Sequence, residues 1–316
     1  PGAGHGSTMR DQKDNLWHTS TMRISINHNF ERRVGVWPAG FDADGELFCN
    51  QRYGDWPQAV SGDKQDPWKN PEWMLLSYGK NATASSAEEG KGADKVTEEN
   101  VRTWWRAASE KPGEWVQVDL GETMDVHAIQ VNFADDKIEI PTPGELRGNQ
   151  TGKRYIEERD LITRWTLEGS VDGKDYFMIE DKSEVTTNLP HDLVVREDGL
   201  QIRYLKLTVL EVPYDQKACV SGLRVFGRGN GQAPKTPTFA AKREADRKVT
   251  IESPSDDVVG YNILWGHKAD KLYHSYMVFG VTEKEIKALV TTQNYFVRVD
   301  AFNENGITEG QVIALS

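Results

Sequence analysis

The chain has 316 residues and a formal charge of −11, with 37% hydrophobic and 28% charged residues. Ten each of Trp, Tyr and Phe argue against disorder despite that low apolar fraction. The acidic balance excludes a nucleic-acid partner, which would need clustered Lys and Arg, and no apolar stretch approaches the roughly 18 residues of a membrane span.

In chain order, the sequence opens on "PGAGHGS", a glycine-rich loop around His5, with no initiator Met, basic leader or apolar signal run. "RRVGVWPAGFDADGELF" follows, and its Asp44-Gly45 pair between apolar runs predicts a hairpin. "SGDKQDPWKNPEW" is a soft break whose Trp68 and Trp73 can pin it to a neighbour. Strict alternation then marks strands with one buried face: Val116, Val118 and Leu120; Ile129, Val131 and Phe133; Leu205, Leu207 and Val209. Asp172-Gly173 predicts a second hairpin. "GRGNGQAPKTP" has linker composition. Beyond it, Val249 and Ile251, then Tyr261, Ile263 and Trp265, then Tyr295, Val297 and Val299 alternate again. Helical periodicity is nearly absent, so an all-β protein is expected. Cys49 and Cys219 have neither disulfide nor metal-ligand spacing and read as small core residues.

The blocks "NATASS", "RTWWRAA", "GEWVQVDLG", "RWTLEGSVDG" and "SGLRVFG" together resemble a discoidin-type (F5/8 type C) domain, the fold of carbohydrate-binding module family 32. The resemblance implies a jelly-roll β-sandwich over 76–228, with Trp105, Trp115 and Trp165 between its sheets. It also implies a structural Ca2+ in the loop of Glu98, Asn100 and Thr103, although Glu98 stands where Asp is usual and Gly222 where many relatives place a calcium-ligating Glu. Sugar recognition uses an aromatic face and hydroxyl-binding polar groups at one rim. The candidates are Trp104, taken as the surface member of its Trp pair, Asp135 in the long 135–159 loop, Asn188, His191 and Tyr214.

Residues 236–316 resemble a fibronectin type III-like (immunoglobulin-like) sandwich, with Tyr295 where such folds place a corner tyrosine. Tyr273, Tyr276 and Phe279 read as packing against an adjacent domain. In the light of these two, residues 1–62 look like the closing strands of a five-bladed β-propeller of glycoside hydrolase family 43, followed by linkers at 63–75 and 229–235. That resemblance implies that His5 faces a central cavity and helps hold a calcium ion. It further implies a parent enzyme that hydrolyses arabinose- or xylose-containing plant polysaccharide with inversion, secreted, periplasmic or at a bacterial cell surface.

None of Asp11, Asp14, Glu31, Asp42, Asp44, Glu46 and Asp55 matches the catalytic carboxylates, so no catalytic residue is assigned and the missing N-terminal blades are the expected partner, beside an oligo- or polysaccharide. Two further readings stay open: C-terminal domains that only brace the propeller, and a stand-alone glycan-binding adhesin.

Overall fold

A computed structural model describes residues 4–22, 33–60, 62–137, 160–188, 190–243, 248–252, 255–287, 289–290 and 292–315. The protein is all-β. Among the described residues the only helical pieces are two 3-10 turns, Ala93–Thr97 and Pro213–Asp215. The chain divides into two compact units: one holds Leu76–Gly227, the other joins Ala3–Thr21, Val34–Leu75 and Arg228–Ser316.

The latter unit starts with β1 (Gly4–Arg10), β2 (Leu16–Met22), β3 (Arg33–Phe41) and β4 (Leu47–Cys49), an antiparallel sheet in the order β1-β2-β3-β4. β5 (Met74–Leu75) closes this part of the chain. Asp11 organises the β1–β2 turn, accepting from the backbone N–H groups of Lys13 and Asn15 and from the Trp17 indole at 2.9 Å. The Asp44-Gly45 pair forms the expected β3–β4 hairpin, with Gly45 at φ 79°. Met9, Val34, Val36, Phe41 and Leu47 of this sheet and its hairpin are exposed.

The Leu76–Gly227 unit comprises β6 (Asn81–Ala84), β7 (Trp105–Arg106), β8 (Glu114–Phe133), β9 (Arg164–Ser170), β10 (Tyr176–Asp181), β11 (His191–Glu211) and β12 (Cys219–Arg228). They are ordered β10-β9-β11-β8-β12, with β6 on β8 and β7 on β12. β8 and β11 are too long to be flat: 20 residues at about 3.3 Å each would span far more than one core. Both bend. Ile202 pairs with Met124 and Tyr204 with Asp119, so β8 carries extra residues around Gly121 (φ 91°). Val195 pairs with Ala128 and Leu200 with Val126, so β11 carries its own extra residues around Gly199 (φ 77°). The bent ribbon turns Val116, Val118, Val126, Ile129, Leu205 and Leu207 onto one core, around Trp105 and Trp165. Trp115 departs from expectation: period two sends it to the face opposite Val116, and it is only half-buried.

The chain returns as β13 (Phe239–Lys242), β14 (Lys248–Ile251), β15 (Gly260–Gly266), β16 (His274–Phe279), β17 (Glu283–Glu285), β18 (Tyr295–Asn303), β19 (Gly306–Thr308) and β20 (Ile313–Leu315). Sheet β13-β14-β17 faces sheet β16-β15-β18-β19, with β20 on β18, across a core of Val249, Ile263, Val297 and Val299. The Tyr295 hydroxyl accepts from the Val290 backbone N–H at 3.1 Å, the bond a corner tyrosine makes.

This sandwich and the N-terminal sheet share one unit through specific contacts. Tyr273 stacks on Phe48 with centroids 4.9 Å apart, and Trp68 meets both edge-on. Within the sandwich itself, Phe279 packs on Phe302 and Tyr276 stays half-exposed under Lys284. The buried Lys271 ammonium lies 2.6–2.8 Å from Asp42, Asp44 and Glu46 of the β3–β4 turn, which holds the Asp42 carboxyl well below the usual range. Residues 50–69 wrap around Arg52, 1% exposed: its guanidinium bonds Asn50 Oδ1 (3.1 Å) and the carbonyls of Trp68 and Lys69, and stacks on the Trp68 ring.

Candidate functional site

The end of β8 brings together His191, Asp135, Trp104 and the turn of Tyr214. His191 pairs with Asn132 across β11 and β8, its Nδ1 3.1 Å from Asn132 Oδ1. Next along the chain, Phe133 N–H donates to the Pro190 carbonyl and Ala134 N–H to that of Cys219. Asp135, half-buried, accepts from the Gln216 amide at 3.4 Å, which ties the Tyr214 turn to the same strand end. Asp136 accepts from the Trp104 indole N–H at 3.1 Å. Five successive residues, 132 to 136, thus tie the end of β8 to three other segments, at 104, 190–191 and 216–219. Asn188, exposed, lies three residues before His191 and accepts from the Thr163 hydroxyl at 2.8 Å.

The Tyr214 turn is strained. Tyr214 and Asp215 both occupy the left-handed region, at φ 64° and 50°, directly after Pro213. Neither side chain favours that conformation, and each such residue costs on the order of 1 kcal/mol, so the surroundings must impose it. The turn projects a half-buried tyrosine ring beside Gln216. A cleft of about 320 Å³ adjoins it, with Glu110, Lys111, Glu211 and Asp215 among its walls.

Trp104 differs from the surface position expected of it, being 7% exposed. Its edge is tied to Asp136, and the Lys91 ammonium covers its ring face 3.7 Å from the centroid. Trp105 is fully buried as expected, donating to the Ser86 carbonyl. Residues 138–159, most of the loop that Asp135 opens, lie outside the described residues.

Charged neighbours that sequence reasoning missed surround this rim. Glu88 accepts from Lys217 (2.7 Å) and Arg106, and Lys137 lies 3.5 Å away. Hydrogen bonds from Lys217 and Arg106 bring the Glu88 carboxyl down to about 2. Asp136 is shared by Lys91 (3.5 Å) and Arg106 (3.9 Å). Glu88 and Lys217 are 129 residues apart in the chain, so no local motif announces the cluster. Burial pushes the neighbouring Cys219 thiol up to about 12, as it does for Cys49; both remain thiols rather than nucleophilic thiolates at neutral pH.

The loop proposed for calcium brings its oxygens together around one hydroxyl. Thr103 donates to Glu98 Oε2 at 3.0 Å and lies 3.1 Å from the Asn100 carbonyl. The second Glu98 oxygen carries the Lys95 ammonium at 2.6 Å, and the Asn100 side chain caps the Arg102 N–H. Oxygen donors on a tight loop fit a hard cation in kind. The ion would have to displace Lys95. Glu99, beside it, forms a two-pronged pair with Arg224, both arms 2.9 Å. His5 lies exposed on β1 in the other unit, at φ 55° in a stretch where the β1–β2 register shifts. Among the described residues, no group of three or more His, Cys, Asp or Glu is placed to hold a metal.

Among the described residues no helix is long and apolar enough to cross a membrane. No curated protein matches the chain. Among solved structures, a family 32 carbohydrate-binding module of Clostridium perfringens, in complex with glcNAc-alpha-1,4-galactose, is 11% identical with a TM-score of 0.38, covering 50% of this chain and 97% of that one. The family 32 module of NanJ from C. perfringens, in complex with galactose, is 16% identical with a TM-score of 0.37, covering 49% and 98%. A chitosan-binding module from a chitosanase/glucanase of Paenibacillus sp. IK-5 is 18% identical with a TM-score of 0.36, covering 49% and 99%. Residues 81–160, which run from β6 past the end of β8, match the F5/8 type C domain family.

Proposed function

We propose that the Leu76–Gly227 unit binds a glycan at the rim formed by Asp135, Asn188, His191 and Tyr214. The observation that carries this reading is the attachment of His191 and of the Tyr214–Gln216 turn to residues 132–136, inside the segment that matches the F5/8 type C family. Carboxylate, amide and imidazole groups suit sugar hydroxyls, and the tyrosine ring offers an apolar face to a pyranose. Trp104 serves as a buried anchor for Asp136 in the resting site.

The wider reading makes the chain the ancillary C-terminal part of a family 43-like inverting glycoside hydrolase acting, outside the cytoplasm of a bacterium, on arabinose- or xylose-containing plant polysaccharide. The exposed apolar side chains of the β1–β4 sheet support it, because a propeller blade buries such a face against its neighbour. The acid and base flanking the scissile bond would come from the other blades, and His5 would face their cavity.

Calorimetric titration of the chain with a panel of plant and host oligosaccharides tests the binding. We expect dissociation constants in the millimolar to micromolar range, weakened about tenfold by Asp135→Ala or His191→Ala, the loss of one or two hydrogen bonds. No hydrolysis is expected from the chain by itself. Absence of binding across the panel by a normally melting protein would favour the bracing role instead.

Calcium belongs to the same proposal, held by Glu98, Asn100 and Thr103 as a brace for their loop. Millimolar calcium should raise the melting temperature of this unit by a few degrees over a chelated sample. Identical melting curves would remove calcium from the account.

A further inference from the structure

Beside the rim, Lys217, Lys137 and Arg106 converge on Glu88, while Lys91 and Arg106 share Asp136. Four cations therefore face two carboxylates. Counting Asp135, which Gln216 engages, still leaves an excess of positive charge. On a chain of net charge −11 this local sign is the reverse of the whole.

The cations are graded in accessibility. The Arg106 side chain is 9% exposed and lies against both carboxylates, so it serves the interior. Lys217 and Lys91 are partly exposed, and Lys137 is 67% exposed, held at φ 58° where a lysine backbone is not at ease. Three ammonium groups therefore remain on the solvent side. Two are carried by segments that also build the rim, Lys137 after Asp136 and Lys217 after Gln216, and Lys91 reaches it from outside, over the Trp104 ring and 3.5 Å from Asp136.

We infer that this edge of the rim binds the anionic group of an acidic sugar, a hexuronate carboxylate or a ring sulfate ester, among Lys91, Lys137 and Lys217. The inference rests on the glycan-binding reading above. An ammonium is a compact donor that accepts an oxyanion from many directions, as a ligand on a mobile polysaccharide requires. Lys91 has a second role. Its ammonium sits where a sugar C–H face would stack on Trp104, and an anion that draws it outward uncovers the indole.

The test is calorimetric titration of the full chain with trigalacturonate, its fully methyl-esterified form and a 4-sulfated galactobiose. The ester keeps the ring and removes the charge. Trigalacturonate or the sulfated sugar should bind about tenfold more tightly than the ester, with the difference collapsing between about 50 and 500 mM NaCl as charges are screened. Whichever of the two binds more tightly identifies the oxyanion.

Lys137→Gln and Lys91→Gln should each weaken binding of the acidic sugar about three- to fivefold, the effect of one exposed charge pair. Lys284→Gln in the other unit should leave it unchanged. Affinities of both the acid and the sulfated sugar no higher than that of the ester at low salt overturn the inference and leave the glycan-binding reading standing. Failure of every sugar in the panel to bind removes that reading too.

Discussion

Arg52→Ala should lower the stability of its unit by roughly 3 kcal/mol, because several charge-assisted hydrogen bonds are lost and the acceptors stay buried. The mechanism is visible in the wrapping of residues 50–69. The Arg52 guanidinium satisfies Asn50 and the carbonyls of Trp68 and Lys69 while its flat face supports the Trp68 ring. The Arg52 carbonyl in turn accepts from the buried Asn262 side chain on β15. Removing the side chain unpicks the wrap and the aromatic packing of Phe48, Trp68 and Tyr273 together. Scanning calorimetry is the measurement, since the chain has two compact units that can melt separately. The expected trace shows one transition moved down and the other in place. A shift below about 1 kcal/mol would mean that the wrap holds through its aromatics alone.

The second large effect is expected at Arg224. Its guanidinium is 7% exposed and grips Glu99 with two bonds while also reaching Gln130. Arg224→Met takes the counter-charge from a carboxylate that is itself nearly buried, a loss on the order of 3–5 kcal/mol. Glu99 stands at φ 54°, where glycine would be at ease, so the pair also holds a strained backbone in place. Adding Glu99→Gly to Arg224→Met should therefore recover part of the loss, by removing the stranded carboxylate and relaxing the turn. Chemical denaturation of the two variants reads the coupling. A double variant less stable than Arg224→Met would refute the account.

Period-two alternation carried most of the fold. It placed Val116, Val118, Leu120, Leu205 and Leu207 in the core, and the two Asp-Gly pairs marked their hairpins. The same rule puts Trp115 on the solvent side, against its expected place between the sheets with Trp105 and Trp165. Trp104 departs from its expected surface position for a different reason. Two adjacent residues usually point to opposite faces, yet here the Trp104 ring, beside the buried Trp105, is itself covered by a lysine from residue 91 and an aspartate from 136, neither of which is local.

Polar loops at the strand ends were legible in kind. The ties that residues 132–136 make to His191, Gln216 and Trp104 were not, because the bends in β8 and β11 that fold the ribbon depend on register shifts between distant residues. Glycine- and proline-rich composition likewise hides what residues 229–234 do: Gly229, Gly231, Gln232 and Pro234 are hydrogen-bonded to Glu304, Asn305, Asn303 and Thr308.

The division of the chain has a consequence for how such a protein can change. One unit is interrupted at Leu75 and resumes at Arg228, and the intervening unit brings its own two ends together: Leu76 N–H donates to the Val225 carbonyl at 2.8 Å. For the interrupted unit, the folded insert is entropically a short closed loop rather than a tether of about 150 residues, and closure cost grows only with the logarithm of loop length. An insert of this kind can be exchanged for another whose ends also meet, so specificity can be replaced as a cassette while the wrapped core around Arg52 and Lys271 is inherited unchanged.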